Sequence, residues 1–241
     1  MIEIVEETGS TNADLLERLR KGEDIPEGYW LLAERQTGGR GRGGRGWESA
    51  ATNLHASTVI RLRKHDHPAH TLSLTIGLAV YEQVCGAMFD YHRDKVALKW
   101  PNDVLIDGAK AAGILLERHE DTVVAGIGIN LHSAPRIEDR KTTHLSQWNS
   151  KHEASQHHAL KHLARCVENE LDLWRNERTE QVINRWCAAA HPVGTILSVH
   201  DHEDHVATGE FAGLNADGAL ILRLPDGETR VIHAGDVMLE N

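Results

Sequence analysis

Residues 38–46 read GGRGRGGRG, six glycines and three arginines set between two stretches that read as strands. Upstream, YWLLAE at 29–34 is a short apolar run; downstream, NLHASTVIRL at 53–62 places Leu54, Ala56, Thr58, Ile60 and Leu62 on one face. Glycine at this density opposes helix, so this part of the chain is constrained to strand, loop, strand. The glycines let successive backbone N–H groups turn toward one anion, and Arg40, Arg42 and Arg45 bring forked donors for carboxylate or phosphate oxygens. Trp47, at the end of the loop, offers a flat face to an aromatic ring. On these residues alone the loop reads as an anion-closing loop, a solvated spacer or an Arg-Gly-rich RNA-binding segment.

Charge weighs against the last of these. The 241 residues carry 26 Lys+Arg against 36 Asp+Glu, a net −10, and a field of that sign repels polyanions. An RNA-binding segment would want repeats and a basic chain, whereas this one occurs once. Any anion is therefore bound locally. No apolar run approaches the ~20 residues that span a bilayer, which excludes a membrane helix. The N-terminus, MIEIVEETGS, lacks the positive flank and apolar core of a secretory signal, so the expected compartment is cytoplasmic. Cys85, Cys166 and Cys187 lie far apart with no CxxC pair, against both a disulfide framework and a thiolate zinc site.

The rest of the chain alternates hairpins and helices. Residues 2–6 read as a strand, NADLLERLRKG as a helix stopped by Gly22, and TLSLTIGLAVYEQVCGA as a helix opened by Pro68. VALK, the turn WPND, a hairpin about Asp107-Gly108 and a second about Glu120-Asp121 lead into TVVAGIGIN. From about 153 to 190 the pattern is helical, with Leu160, Leu163, Val167, Leu171 and Trp174 on one face. Beyond Pro192, short strands separated by turns at 215–218 and 225–227 have the rhythm of a small β-barrel. We expect an α+β domain over residues 1–190 and a small β domain over 191–241.

Five short motifs carry chemistry. GSTN at 9–12 supplies three good helix N-caps, Ser10, Thr11 and Asn12, with Asp14 in a box-like position after Thr11. The Arg-Gly loop is the second. KWPND at 99–103 sets Lys99, Asn102 and Asp103 at a strand end, and KAAGILLE at 110–117 opens a strand with Lys110. In GIGIN at 126–130, Gly126 and Gly128 share one face of a core strand, an arrangement that is costly unless a ligand or another backbone takes the space, and Asn130 closes it with an amide. His158 and His162 are spaced for a metal but have no specified third ligand.

Together and in this order, these segments resemble the biotin–protein ligase (biotin–[acetyl-CoA-carboxylase] ligase) family, over essentially the whole chain. The resemblance implies a mixed-sheet, class II synthetase-like catalytic domain with a C-terminal SH3-like barrel. It implies formation of biotinyl-5′-AMP from biotin and ATP, with Mg2+, followed by transfer of biotin to a lysine of a biotin carboxyl carrier protein. The residues matching the family's biotin contacts are Ser10, Thr11, Asn12, Gln36, Arg40, Gly41, Arg42 and Lys110. Those matching its ATP or adenylate contacts are Arg40, Arg42, Trp47, Asn102, Lys110 and Asn130. Lys110, Arg42, Lys99 and Asp103 match residues at the reacting groups, with Asp103 orienting the incoming lysine or magnesium. Lipoate–protein ligases share the fold and the adenylation chemistry; KWPND with an Arg-Gly loop favours biotin. Two departures stand out. Gly43 stands where many relatives have arginine, which implies a softer loop that retains the adenylate less firmly. The first strand begins at Ile2, so the DNA-binding winged helix of some relatives is not expected; monomer or homodimer is left open.

Overall fold

The computed structural model describes residues 1–48, 50–138, 140–148, 155–200 and 206–239. Strand β1 (Ile2–Thr8) leads into helix α1 (Thr11–Arg20) and returns in β2 (Trp30–Gln36), parallel to β1. The glycine-rich loop then crosses to β3 (Leu54–Arg61), antiparallel to β2. Helix α2 (Leu72–Ala87) is followed by the hairpin strands β4 (Val96–Lys99), β5 (Asp103–Ile106), β6 (Ala109–His119) and β7 (Thr122–Ile129). The sheet order is β1-β2-β3-β7-β6-β5-β4, so β7 closes against β3 in the middle of a seven-stranded mixed sheet. Asp107 (φ 52°) and Gly108 (φ 73°) make the tight turn between β5 and β6, both residues in the left-handed region that such a turn demands.

Helices cover both faces of this sheet. Leu15, Leu16 and Leu19 of α1 pack with Tyr29, Leu31, Val59 and Val124 on one face. On the other, α2 lies beneath α3 (Gln156–Asn176) and α4 (Thr179–Ala189), whose Trp174 and Trp186 are fully buried. Helix α2 has no clear apolar stripe because it is sandwiched between sheet and helices and is buried nearly all round. The same two-sided cover buries β3 on both faces: beside the expected face of Leu54, Ala56, Thr58 and Ile60, His55, Ser57 and Val59 are buried too. The helical stretch expected from about 153 is two helices. It breaks at 177–178, where Arg178 starts α4 in a capping box with Gln181; residues 153 and 154 lie outside the described residues.

The remaining strands, β8 (Ile196–His200), β9 (Val206–Leu214), β10 (Leu220–Arg223), β11 (Thr229–Ile232) and β12 (Asp236–Leu239), form a separate antiparallel sheet ordered β11-β10-β9-β8-β12. The buried Trp100 donates through Nε1 to Gly218 O at 3.1 Å, joining this unit to the KWPND turn. His191 is buried at the same joint, edge-on to Phe211 with ring centroids 4.5 Å apart, and neither ring nitrogen has a partner beyond its own backbone among the described residues. Burial pushes its imidazole down to about 4, with a smaller push from Lys99. The folded chain thus binds fewer protons than the unfolded chain between pH 6.5 and 4, and stability falls as pH falls through that window. We expect His191→Phe to flatten the acid limb of a stability curve by about 3 kcal/mol between those limits, measured by urea unfolding at stepped pH.

Candidate active site

A cleft of about 1190 Å3 opens where the 38–47 loop, the start of α1, the β6–β7 face and β12 meet. Its first end is built by the GSTN turn. Ser10 caps α1, its Oγ accepting from Ala13 N at 3.4 Å, which releases Thr11 and Asn12 to other partners. Asp14 does not complete a box with Thr11; its carboxylate takes the Thr8 hydroxyl. Thr11 donates through its backbone N to Gln36 Oε1 at 2.9 Å, and its hydroxyl lies 2.7 Å from that of Ser57. Ser57 donates to Asn12 Oδ1 at 2.6 Å, and Asn12 Nδ2 donates to Glu117 Oε2 at 2.9 Å. Asn12 fills the space over Gly126: a Cβ there would meet Asn12 Oδ1 at 2.4 Å.

The middle of the cleft concentrates charge. Asp103 is buried, with Lys110 Nζ at 2.6 Å and Lys99 Nζ at 3.6 Å. Lys99 also donates to Val237 O at 2.7 Å; burial pulls its ammonium below the ordinary lysine value, against the opposing field of Asp103. Arg42 is shifted the same way, by burial first and then by Arg45, against Asp103 and Asp236. Three cations therefore face one carboxylate, an excess of positive charge suited to an incoming anion. At the mouth, Asp236 on β12 pairs with both Arg45 and Arg140. Burial raises the Asp236 carboxyl, but the bonds from the two arginines outweigh it and hold the group below the usual carboxylate range.

Trp47 forms the second end. It lies over Gly113 and Gly128, where an added Cβ would meet its ring at 2.9 and 2.4 Å, and Lys110 Nζ sits 5.5 Å from its ring centroid. Asn130 is buried and donates through Nδ2 to Thr143 O at 3.0 Å. That leaves Asn130 Oδ1 and Trp47 Nε1, an acceptor and a donor, buried in the cleft wall without partners among the described residues. A nitrogen heterocycle with an exocyclic amine has the complementary groups. The space over Gly126 and Gly128 is thus taken by the side chains of Asn12 and Trp47, two residues of the cleft.

The family model for biotin/lipoate A/B protein ligases matches residues 5–133, and that for the biotin protein ligase C-terminal domain matches 198–239. The biotin–[acetyl-CoA-carboxylase] ligase of Mycobacterium tuberculosis is 36% identical over 98% of this chain and 88% of its own. The chain belongs to the biotin protein ligase family. The bifunctional ligase/repressor of Escherichia coli is 31% identical to this ligase over 96% of the chain and 72% of its own length. The biotin protein ligase of Aquifex aeolicus in complex with biotin and ATP superposes with a TM-score of 0.82, at 25% identity, covering 100% of this chain and 98% of that one. That of Leishmania major with biotinyl-5-AMP superposes at 0.65 and 26% identity, covering 97% and 98%.

The residues of the ligase that match the family's biotin, adenylate and reacting-group contacts all line this one cleft: Ser10, Thr11, Asn12, Gln36, Arg40, Gly41, Arg42, Trp47, Lys99, Asn102, Asp103, Lys110 and Asn130. Asn102 differs from the rest, since its amide donates to Ile114 O at 2.6 Å and so braces the β5–β6 pair. His158 and His162 lie outside the cleft, with His162 bonded to Gln83, and no group of three metal-ligating side chains occurs among the described residues. Sequence reasoning missed Ser57, Glu117, Arg140 and Asp236. For Ser57 a signal existed, because β3 carries His55 and Ser57 on the face opposite Leu54 and Ala56. For Asp236 and Arg140 there was none, because they meet 96 residues apart.

Proposed function

We propose that the cleft carries out both steps of protein biotinylation in an ATP-dependent biotin–protein ligase. The carrying observation is one cleft with a hydrogen-bonding end at Thr11, Asn12, Ser57 and Gln36, a cationic middle at Arg42, Lys99 and Lys110, and an aromatic end at Trp47 and Asn130. Biotin's ring system takes the first end with Ser10, Thr11, Asn12 and Gln36; its carboxylate reaches Arg40, Gly41, Arg42 and Lys110. ATP puts its base against Trp47 and Asn130. The carboxylate oxygen attacks the α-phosphorus, the bond to pyrophosphate breaks, and Arg42, Lys99 and Lys110 offset the charge that gathers there. A lysine amine of the carrier domain then attacks the acyl carbon, AMP leaves, and the amine loses its proton.

Magnesium fits this arrangement only as a companion of the nucleotide. Asp103 is the one buried carboxylate among the described residues that line the cleft, so phosphate oxygens and water would complete the shell, as is usual for this ion. On this reading residues 1–190 hold both reactants, 191–241 close the mouth through Asp236, and the enzyme works in the cytoplasm on a biotin carboxyl carrier protein.

The purified chain with biotin, Mg-ATP and an apo carrier domain should yield a carrier that blots with streptavidin, and pyrophosphate release should follow biotin and not lipoate. Release with lipoate alone would reassign the acid. The 38–46 loop gives a second test. Arg40, Arg42 and Arg45 are trypsin sites, and Arg45 is tethered only through Asp236 and the loop's own backbone among the described residues. Asp236→Ala should speed tryptic nicking there severalfold, and biotinyl-AMP should slow it in the unaltered chain. Equal rates in all samples would remove the loop as a moving part.

A further inference from the structure

We propose that Arg140 and Arg45 form the subsite for the two phosphates of ATP that leave as pyrophosphate, and that Asp236 takes their place on these arginines once pyrophosphate has gone. The inference rests on the ATP reading above, which uses the cations of the cleft only as far as the α-phosphate. Among the described residues that line the cleft, Arg45, Arg140 and Lys141 are the arginines and lysines left without a ligand group. Two of them meet at the mouth, where the guanidinium groups of Arg45 and Arg140 converge on one oxygen of Asp236, Oδ2. Forked donors that converge on a carboxylate oxygen suit a phosphate oxygen equally well.

The place of Arg140 follows from the backbone beside it. Lys110 N donates to Lys141 O at 2.9 Å and Thr143 N donates to Lys110 O at 3.0 Å, so the segment after Arg140 runs alongside the residue that faces the α-phosphate. Lys99 lies in the field of both Arg140 and Asp236. A triphosphate with its base at Trp47 and its α-phosphate among Arg42, Lys99 and Lys110 must continue away from the base, and the next cations stand at this mouth. Exchange is easy there. The Asp236 side chain is 33% exposed against 9% for Asp103, and partly exposed ion pairs contribute little to stability. Strand β12 need not move when Asp236 lets go, because Lys99 donates to Val237 O at 2.7 Å and Trp100 to Gly218 O at 3.1 Å. After pyrophosphate leaves, Asp236 recovers both arginines and opposes its return.

Initial rates of biotinyl-AMP formation at saturating biotin, with pyrophosphate as an added inhibitor, test this on the full chain. Arg140→Ala should raise the KM for ATP and the inhibition constant of pyrophosphate about tenfold each, the equivalent of one lost charge-assisted hydrogen bond. Biotinyl-AMP carries neither of those phosphates, and by titration calorimetry it should bind Arg140→Ala to within about twofold of the unaltered chain. Arg140→Lys should recover part of the loss, because it keeps the charge without the fork. Asp236→Asn breaks both ion pairs yet leaves both arginines, and should bind pyrophosphate severalfold more tightly; it carries the test alone should Arg140→Ala fail to fold. Were the three residues only a latch between the loop and β12, Asp236→Asn would weaken ATP and pyrophosphate as Arg140→Ala does. That result, an unchanged KM for ATP in Arg140→Ala, or an equal loss of biotinyl-AMP affinity would overturn the proposal. Failure of the unaltered chain to form biotinyl-AMP from biotin and ATP would instead sink the functional reading, and this inference with it.

Discussion

Replacing Lys110 with alanine should lower the rate of biotinyl-adenylate formation by a factor on the order of 10²–10³ while the chain stays folded. The reaction brings a carboxylate against a polyphosphate, and their repulsion must be met by charge already in place. Lys110 is the cation placed to act on both partners, since its Nζ sits 2.6 Å from Asp103 in the cationic middle and 5.5 Å from the Trp47 ring centroid at the other end. Folding should survive. The Lys110 side chain is 23% exposed, and Asp103 keeps Lys99 at 3.6 Å, so the loss of stability should be about 1–3 kcal/mol. Single-turnover pyrophosphate release reads the chemistry and circular dichroism the fold. Lys110→Arg should retain part of the rate because it retains the charge. A rate near that of the unaltered chain for Lys110→Ala would take this residue out of the mechanism.

Alanine at two neighbouring glycines of β7 should separate the two substrates. A Cβ on Gly126 would meet Asn12 Oδ1 at 2.4 Å, and one on Gly128 would meet the Trp47 ring at 2.4 Å. Neither distance is tolerable, and both neighbours belong to the cleft, so each must shift or the strand must bend. Overpacking of this kind typically costs 1–3 kcal/mol, which corresponds to about tenfold or more in affinity. Gly126→Ala should therefore weaken biotin binding with little change for ATP, and Gly128→Ala the reverse. Two calorimetric titrations on each variant suffice. Equal losses of both ligands in both variants would mean that the two ends of the cleft are not held by Asn12 and Trp47 as described.

Much of the framework was legible because it follows from local rules. Asp107-Gly108 announced its hairpin through the left-handed conformation both residues adopt. Gly22, with φ 82°, ends α1 where the leucine periodicity stops. The break between α3 and α4 was not legible, because neither glycine nor proline marks residues 177–178 and the apolar face marked by Leu171 and Trp174 resumes at Val182, Ile183 and Trp186 beyond them. The second buried face of β3 was hidden for another reason: whether a polar face meets water or a cleft depends on what packs over it. His55 and Ser57 are polar and yet only 1% and 0% exposed.

The same division holds for the site. Residue order alone brought out the five motifs, the joint presence of an anion loop, KWPND and GIGIN, and the oddity of two glycines facing one way in a core strand. Each is a statement about backbone freedom or charge within a few residues. Only the folded chain decided that Ser10 caps α1 while Asn12 covers Gly126, that Trp47 lies on Gly128, and that Arg45 finds Asp236 across 191 residues. Backbone preferences are settled by neighbours in sequence, whereas the partner of a side chain is settled by which strands close the sheet. The occupants of a cleft wall are thus a property of tertiary packing.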